Sequence, residues 1–307
     1  PTLQPVYSAV FFTAAFFVAL HPEKLTDWLG RILCPCLILL IVILFTGCLV
    51  HPLAAHYGAP CAEYAALPAV PGMLYGYQTM DTLAALNFGA VIALNVRVHG
   101  VTDDSAVEHS IIRAGLVAGA LLLVVYAMLG YSGAQTGAVY LGLSTGAEVL
   151  TVLAQHLFGH AGLVLVAAIF VIACFNTCVG LIACVGQYFH QLLPHIPYPA
   201  IAAFFAAASM VISNIGLAGI IRLSTPVLNA VYPVAIVLIL LSFVPGLEHR
   251  RAVYPLCVCF TAVQSIAAAL PLGIVSAAAN ALPLGSLGFG WVVPAAVGLA
   301  AGLLPKK

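Results

Sequence analysis

Charged residues are scarce in this chain of 307 residues, and their scarcity excludes an ordinary soluble domain. Only 6% of the residues are charged, against roughly 25% in soluble proteins. Nine basic residues balance nine acidic ones and form no basic cluster, so we expect no nucleic acid partner. Regular alternation of apolar and polar residues is also lacking, which argues against membrane-spanning strands. The composition predicts an all-α polytopic membrane protein.

The sequence also lacks the motifs of membrane enzymes and redox proteins. It contains no His-Glu-x-x-His and no C-x-x-C. Apart from the pair His156 and His160, which has no third ligand beside it, the histidines lie in predicted loops or at predicted span ends, where they would not ligate a buried haem. Most of the nine cysteines fall within apolar runs, where a thiol behaves as a small hydrophobic group. We therefore expect no enzyme activity and no bound cofactor.

What the chain has in abundance is apolar runs of membrane-spanning length. They predict one transmembrane domain, 1–307, with about nine spans: 5–20, 32–50, 68–96, 111–131, 161–185, 197–216, 219–243, 253–277 and 287–304. Eight of the nine lysines and arginines fall in one set of alternate loops or at the C-terminus, and only Arg222 falls in the other set. The positive-inside rule then predicts a cytoplasmic C-terminus and an outside start. Because the chain begins with Pro1 and not Met, we expect a fragment that lacks its N-terminal part.

Polar residues interrupt the third predicted span. They are Gln78, Thr79 and Asp81, and they follow Pro68, Pro71, Gly72 and Gly76. A carboxylate at the centre of a membrane helix costs about 2.5–3.5 kcal/mol even on insertion scales, so its presence points to function. Hydrogen bonding of Gln78, Thr79 and Asp81 to neighbouring helices is the alternative. The pattern predicts a broken helix, and freed backbone groups at such breaks bind substrates and ions in transporters.

The fifth predicted span carries a second polar group. Ala173, Asn176, Thr177 and Gly180 follow i, i+3, i+4, i+7 and share one helical face. Side-chain oxygens on such a face suit a hard monovalent cation when another backbone approaches it. An interhelical hydrogen bond in a tightly packed bundle is the alternative.

Several shorter patterns predict helix ends. Ser105 with Glu108, and Thr145 with Glu148, have the spacing of a capping box. The second box precedes an apolar stripe, which predicts a short helix over the outer face. Two later patterns predict a tight turn at 213–216 and a kinked helix in the seventh span, which Ser-Thr-Pro interrupts at 224–226.

These residues carry a resemblance to a known family. The stretch Gly76-Tyr77-Gln78-Thr79-Met80-Asp81-Thr82-Leu83-Ala84-Ala85, followed by Phe88-Gly89 and Asn95-Val96-Arg97, resembles the hallmark segment of the bacterial branched-chain amino acid:cation symporters. The stretches 20–25, 213–217 and 226–233 are similar to the same family and occur in the same order. The similarity therefore extends over essentially the whole chain.

The resemblance implies a fold and a site. The fold is that of the amino acid–polyamine–organocation superfamily, a leucine-transporter-like five-plus-five inverted repeat, of which this chain holds helices four to twelve. The broken helix six is the third span, and the implied substrate-binding residues are Gly76, Tyr77, Gln78, Thr79, Met80, Asp81 and Phe88. Helix eight is the fifth span, and the implied sodium ligands are Ala173, Asn176 and Thr177. The first broken helix of that fold is absent from this sequence.

The functional hypothesis follows from the resemblance. We expect a symporter that imports leucine, isoleucine and valine with Na⁺ or H⁺ across the cytoplasmic membrane by alternating access, with the lipid bilayer as its surroundings. The alternatives are a non-transporting fragment, a membrane scaffold or sensor, a channel, or a symporter of the same superfamily for another amino acid.

Overall fold

A computed structural model describes residues 3–21, 26–77, 79–98, 103–247, 250, 252–270 and 273–304. These residues form helices and connecting loops, and no strand occurs among them. The twelve α-helices in the described ranges are α1 Leu3–Ala19, α2 Cys34–Val50, α3 Ala69–Tyr77, α4 Asp81–Val98, α5 Asp104–Val139, α6 Gly146–Phe158, α7 His160–Leu192, α8 Tyr198–Ser213, α9 Leu217–Ser242, α10 Val253–Ala269, α11 Gly273–Asn280 and α12 Val292–Leu303. Short 3₁₀ turns lie at Ala62–Tyr64 and Gly285–Leu287, and a π-helix precedes α2 at Thr26–Leu33.

Four stretches are long and apolar enough to cross a membrane, and they are Gly30–Val50, α5, α7 and α9. Four shorter apolar helices, α1, α8, α10 and α12, have 12 to 17 residues. At least one helix lies in each range that hydropathy assigns to a span. Some residues on which the sequence-based predictions rest lie outside the described part of the chain. They are Gln78, Lys24, Arg251, Lys306 and Lys307.

The chain divides into two compact units. The first contains residues 1–59 and 88–216, and the second contains residues 60–87 and 217–307. Helix α4 is continuous from Asp81 to Val98, so the division falls inside it.

Two clusters form the core of the first unit. One joins α2, α5, α6 and α7 through large residues such as Leu44 and Leu153, which are almost fully buried. The other joins α1, α7 and α8 through small residues: Ala15, Ala19, Val179, Ala183, Ala202 and Ala206. Small residues let helix backbones approach closely, which is the common way to pack helices without a hydrophobic driving force.

The second unit is built on α9, α10 and α12. Its core cluster includes Val237, Leu241, Val253, Cys257 and Trp291. A Cβ added at Gly298 would lie 2.8 Å from the Cα of Cys257, and one at Gly302 would lie 2.6 Å from the Cα of Val253. Glycine at both positions therefore lets the backbone of α12 lie directly against that of α10.

The local predictions at helix ends have mixed outcomes. The capping box before α6 is confirmed, because the Thr145 hydroxyl accepts from the Glu148 amide at 3.3 Å and Glu148 accepts from the Ser144 amide at 2.7 Å. The sequence of this turn, Gly142-x-Ser144-x-Gly146, matches the G-x-S-x-G motif that surrounds the nucleophilic serine of many hydrolases. That motif requires a preceding strand. Helix α5 precedes it here, so these residues form a helix cap.

The predicted box at Ser105 and Glu108 is wrong. Helix α5 begins at Asp104 and its cap is Asp103, whose carboxylate accepts from the Ala106 amide at 3.0 Å. The Ser105 hydroxyl donates to the same carboxylate. These two hydrogen bonds, led by that from Ser105, lower the pKa of Asp103.

The turn between α8 and α9 is confirmed, and the Ser-Thr-Pro stretch of the next span lies inside a continuous helix. Gly216 has a φ of 84° and lies directly before α9. Helix α9 then continues through Pro226 and Pro233 without a break. The hydroxyls of Ser224 and Thr225 donate to the carbonyl of Ile221, a bond pattern that is compatible with the helix.

Candidate functional site

The predicted break in the third span is confirmed between α3 and α4. Helix α3 ends at Tyr77 and α4 begins at Asp81. A turn joins them, in which the amide of Thr79 donates to the Gly76 carbonyl at 3.3 Å and the Met80 amide to the Tyr77 carbonyl at 3.3 Å. The Thr79 hydroxyl adds a second bond to the Gly76 carbonyl, at 2.7 Å. A carbonyl oxygen can accept two bonds, so the turn uses both acceptor positions of the Gly76 carbonyl and one of the two at Tyr77.

The left-handed residue at the break is not a glycine, because Gly76 lies within α3. The left-handed backbone is at Met80, with a φ of 63°. A non-glycine residue in this region costs about 1–2 kcal/mol, and strain of this kind is often found at functional sites.

Asp81 is the first residue of α4 and is partly buried. A carboxylate in the first turn interacts favourably with the positive end of the helix dipole. The backbone carbonyl of Met80 accepts from the Ala84 amide at 2.9 Å and so begins the helical hydrogen-bond pattern. Asp81 therefore stabilises the start of α4 while its charge lies directly at the break.

Two tyrosines pack beside this break, and sequence analysis identified only one of them. The rings of Tyr77 and Tyr232 stack with centroids 4.8 Å apart and an interplanar angle of 11°. Tyr77 is 6% exposed and Tyr232 only 2%. The Tyr232 hydroxyl lies beside Asp81 and the backbone of Met80 and Thr82, yet neither tyrosine hydroxyl makes a hydrogen bond of ordinary geometry in the described part of the chain.

Tyr232 was missed as a site residue because its surroundings in the sequence indicated a kinked structural helix. The signal that could have found it is the polar group of Asn229 and Tyr232 within an otherwise apolar span. A buried hydroxyl without a partner is uncommon, because leaving such a group unpaired costs about 1–3 kcal/mol.

The residues predicted to bind sodium lie on α7, in the first unit. The Asn176 side-chain amide donates to the Cys34 thiol at 3.3 Å, so this residue faces α2. Its carbonyl oxygen is not used by that bond. Thr177 is exposed, and Ala173 is partly buried. No hydrogen bond to the Thr177 hydroxyl occurs within the described residues.

Phe88 lies on the same helix α4 as Asp81 but packs against α7, the helix of the predicted sodium ligands. A Cβ added at Gly180 of α7 would lie 3.3 Å from the Phe88 ring. The predicted residues 76–81 belong to the second unit, whereas Phe88, Ala173, Asn176 and Thr177 belong to the first. Phe88 therefore contacts the helix of the predicted sodium ligands.

A cavity of about 640 Å³ lies entirely within the second unit. Helices α3, α9, α10 and α11, the turn at Ala62–Tyr64 and residues 286–291 contribute to its wall. Of the predicted site residues, Tyr77 lines this cavity. Sequence analysis did not predict it, because its wall comes from chain segments that are far apart in sequence.

Comparisons with known proteins identify relatives over the whole chain. The family model described as "Branched-chain amino acid transport protein" matches residues 1–307. The branched-chain amino acid permease BraB of Bacillus subtilis is 37% identical over 97% of this chain and 68% of its own length. The branched-chain amino acid transport system 2 carrier protein of Pseudomonas aeruginosa is 36% identical over 96% of this chain and 68% of its own length.

A third relative is the branched-chain amino acid permease BrnQ of Escherichia coli K12, which is 35% identical over 95% of this chain and 67% of its own length. No solved structure gives a significant match. The family model and these relatives describe transport carriers, not enzymes. With a family model that covers every residue, the chain belongs to the branched-chain amino acid transport protein family.

Proposed function

We propose that the protein is a secondary active symporter that imports branched-chain amino acids together with Na⁺ or H⁺ by alternating access. The observation that carries the proposal is the interrupted helix between Tyr77 and Asp81, which lies in the segment that resembles the symporter hallmark. Membership of the family and the names of the relatives support the substrate class. The fold proposed with it is the five-plus-five inverted repeat, in the inner membrane with a cytoplasmic C-terminus.

The proposed substrate site is at the break. The α-ammonium group would approach the backbone carbonyls around Tyr77–Thr79, of which the Tyr77 carbonyl accepts one bond in the turn and retains a lone pair, with the charge of Asp81 nearby. Tyr77, Met80 and Phe88 supply apolar surface for the side chain, and Thr79 fixes the turn. A hydrophobic site distinguishes side chains that differ by one methylene by only about 1–3 kcal/mol. Leucine, isoleucine and valine are therefore expected to compete for one site.

The proposed sodium site is on α7. Its ligands are the Ala173 backbone carbonyl, the Asn176 side-chain oxygen and the Thr177 hydroxyl, all of which are oxygen donors suited to a hard cation. The exposure of Thr177 supports its assignment, because its hydroxyl is not engaged by another group among the described residues. If the proton is the coupling ion instead, Asp81 is the proposed group that carries it.

Uptake of labelled leucine into proteoliposomes tests the proposal. With Na⁺ coupling, uptake follows the external sodium gradient, Thr177→Ala lowers it at least tenfold, and Thr177→Ser restores most of it because the hydroxyl ligand returns. With H⁺ coupling, uptake follows the pH gradient and Asp81→Asn removes this dependence. If neither gradient drives uptake of leucine, isoleucine or valine by folded protein, the symporter proposal is wrong.

A further inference from the structure

A buried glutamine fastens the loop between α2 and α3 to α5. Gln135 lies about one turn before the end of α5 and is only 3% exposed. Its side-chain oxygen accepts from the Ala54 amide at 2.8 Å, and its side-chain nitrogen donates to the hydroxyls of Tyr57 and Tyr131. Ala54 and Tyr57 belong to residues 51–60. We name these residues the outer link, because the distribution of lysine and arginine places this loop outside.

The three bonds hold the outer link in one position on α5. Both N–H groups of the Gln135 amide donate and its oxygen accepts, so the orientation of the amide is fixed. Leaving a buried amide without partners is unfavourable, which favours the bound position of the link. Leu53 adds an apolar attachment, since it packs against the core cluster that includes Leu44 and Leu153. The outer link is therefore attached by Leu53 and, beyond it, by Gln135.

The chain that follows the outer link is attached to α3. A turn begins at Cys61, whose carbonyl accepts from the Tyr64 amide at 2.8 Å. The rings of Tyr64 and Tyr75 stack with centroids 6.4 Å apart, and the Tyr75 hydroxyl donates to Glu63 at 3.3 Å. Tyr75 lies on α3, the helix that ends at the break. The ring stack and the hydrogen bond make this turn part of the same body as α3.

Only three residues, 58–60, separate Tyr57 from the beginning of this turn. An extended chain spans at most about 3.3–3.6 Å per residue, so the Cα atom of Cys61 stays within about 13–14 Å of that of Tyr57. If Gln135 released the link, Leu53 would be the last attached residue. The corresponding limit, from Leu53 to Cys61, would be about 26–29 Å. The bonds of one side chain therefore set how far α3 can move from the outer end of α5.

We propose that Gln135 is a latch on the outer link, and that its release frees α3, the first half of the broken helix, to move away from the outer end of α5. The inference rests on the proposed function, in which α3 moves during alternating access. Gln135 is a positioning residue in this proposal, because it acts through the link and not by contact with substrate.

Distances between spin labels on α5 and beside the turn test the proposal. Gly137 on α5 and Ala65 directly after the turn are exposed. The amino acid p-acetylphenylalanine, introduced at both positions, accepts spin labels through its ketone without reaction at the nine cysteines. In Gln135→Leu the distance distribution should extend at least about 5 Å beyond the upper limit of the parent, because the permitted reach doubles. Gln155→Leu, the same change at an exposed glutamine of α6, should leave the distribution unchanged.

Two tyrosine substitutions separate the latch from the stability of the buried amide. Tyr57→Phe and Tyr131→Phe each remove one acceptor from the Gln135 amide, but only Tyr57 belongs to the outer link. Exchange protection of the Ala54 amide reports its bond to Gln135. This protection should fall about fivefold in Tyr57→Phe, as expected for one hydrogen bond, and should persist in Tyr131→Phe. The spin-label distances should lengthen only in Tyr57→Phe.

A longer link tests the reach directly and remains informative if Gln135→Leu does not fold. Insertion of Gly-Ser-Gly-Ser between Gly58 and Ala59 gives the latched link the reach calculated for the released one. This variant should have the longer distances expected for Gln135→Leu, while the Ala54 amide keeps the protection of the parent. A glutamine that only stabilises the fold would not produce this combination.

The proposal is overturned if the longer link leaves the distances of the parent unchanged, or if Gln135→Leu loses the Ala54 protection without any longer distance. Equal effects of Tyr57→Phe and Tyr131→Phe on the distances would also overturn it. Uptake measurements keep this result separate from the proposed function. Gradient-driven leucine uptake by the parent, with unchanged distances in both link variants, removes the latch and leaves the symporter. Longer distances in both variants, without uptake by the parent, remove the symporter and leave the latch.

Discussion

The left-handed backbone at Met80 gives a sharp test of the helix break. Met80 has a φ of 63°, whereas glycine adopts this conformation without steric penalty. Met80→Gly should therefore relieve strain in the folded protein. The control is Met73→Gly in the middle of α3, where glycine is unfavourable. The two methionines are 41% and 51% exposed, so both substitutions remove a similar amount of packing.

The difference between the two variants isolates the backbone conformation. Both lose a methionine and gain a glycine, so the added entropy of the unfolded chain nearly cancels. What remains is the strain at position 80, about 1–2 kcal/mol. Met73→Gly is expected to lose about 0.8–1 kcal/mol relative to a good helix former. Met80→Gly should accordingly have an unfolding free energy higher than that of Met73→Gly by at least about 1 kcal/mol.

The assay is reversible unfolding of the purified protein in mixed micelles as the fraction of denaturing detergent increases. Met80→Ile serves as a third variant, because a β-branched residue tolerates a positive φ poorly and should destabilise the protein. Equal losses in Met80→Gly and Met73→Gly, or a neutral Met80→Ile, would refute the assignment of the break to a left-handed residue at position 80.

Three further predictions follow from packing and caps. Gly298→Ala should lower the unfolding free energy by about 1–3 kcal/mol, because the added Cβ would lie 2.8 Å from the backbone of α10. Gly130→Ala is the control: a Cβ added there would have no neighbouring atom within 4 Å and should cause no such loss. Ser265→Ala should cost about 0.5–1.5 kcal/mol in the same unfolding assay, because it removes the 2.8 Å bond to the Ala230 carbonyl that joins α10 to α9. Ser242→Ala is the control, since this exposed serine bonds to a carbonyl of its own helix. The pKa of Asp103 is lowered in the folded state, so its cap should be complete at neutral pH and be lost as the pH falls through that lowered pKa. The protection factor of the Ala106 amide, which compares its exchange rate with the intrinsic rate at the same pH, should fall in acid in the parent protein, and it should already be low at neutral pH in Asp103→Ala.

Hydropathy and resemblance account for most of what the sequence could predict. Long apolar runs locate helices because a membrane segment must satisfy its own backbone hydrogen bonds, a requirement that composition reveals directly. The break in the third span was also predictable, since an acid and several polar groups occur together in an apolar run. Family membership agrees with the resemblance in motif and order.

Details that depend on competition between neighbouring residues were less predictable. At α5, Asp103 and Ser105 both have oxygens that can cap a helix, and the aspartate forms the cap while the serine bonds to it. At the break, glycine seemed the natural residue for an unusual backbone, yet Gly76 is helical and Met80 takes the left-handed conformation. At α9, two prolines remain inside a continuous helix because neighbouring groups accommodate them.

The cavity could not have been predicted from local patterns. Its charged residue comes from the turn at 62–64, and its polar wall comes from α9, α10 and the 280–291 segment. Two glycines offer a hint. A Cβ added at Gly288 would lie 2.8 Å from the Leu74 side chain, and one added at Gly290 would lie 2.8 Å from the Gln264 side chain. Close approach of this kind depends on tertiary packing, which a single sequence does not reveal.

Helix α4 is the element through which a substrate site and a cation site could be coupled. Asp81 opens this helix at the break, and Phe88, two turns later on the same helix, contacts Gly180 on the helix that carries the proposed sodium ligands. On the other side of the left-handed residue Met80, α3 packs on α9 through the Tyr77–Tyr232 stack. Cation binding on α7 would then favour one position of α4 through Phe88, and substrate binding at the break would favour the same position through Asp81. Linkage requires this effect to be reciprocal: if sodium raises leucine affinity, leucine must raise sodium affinity by the same factor, and replacement of Phe88 by alanine should reduce both together.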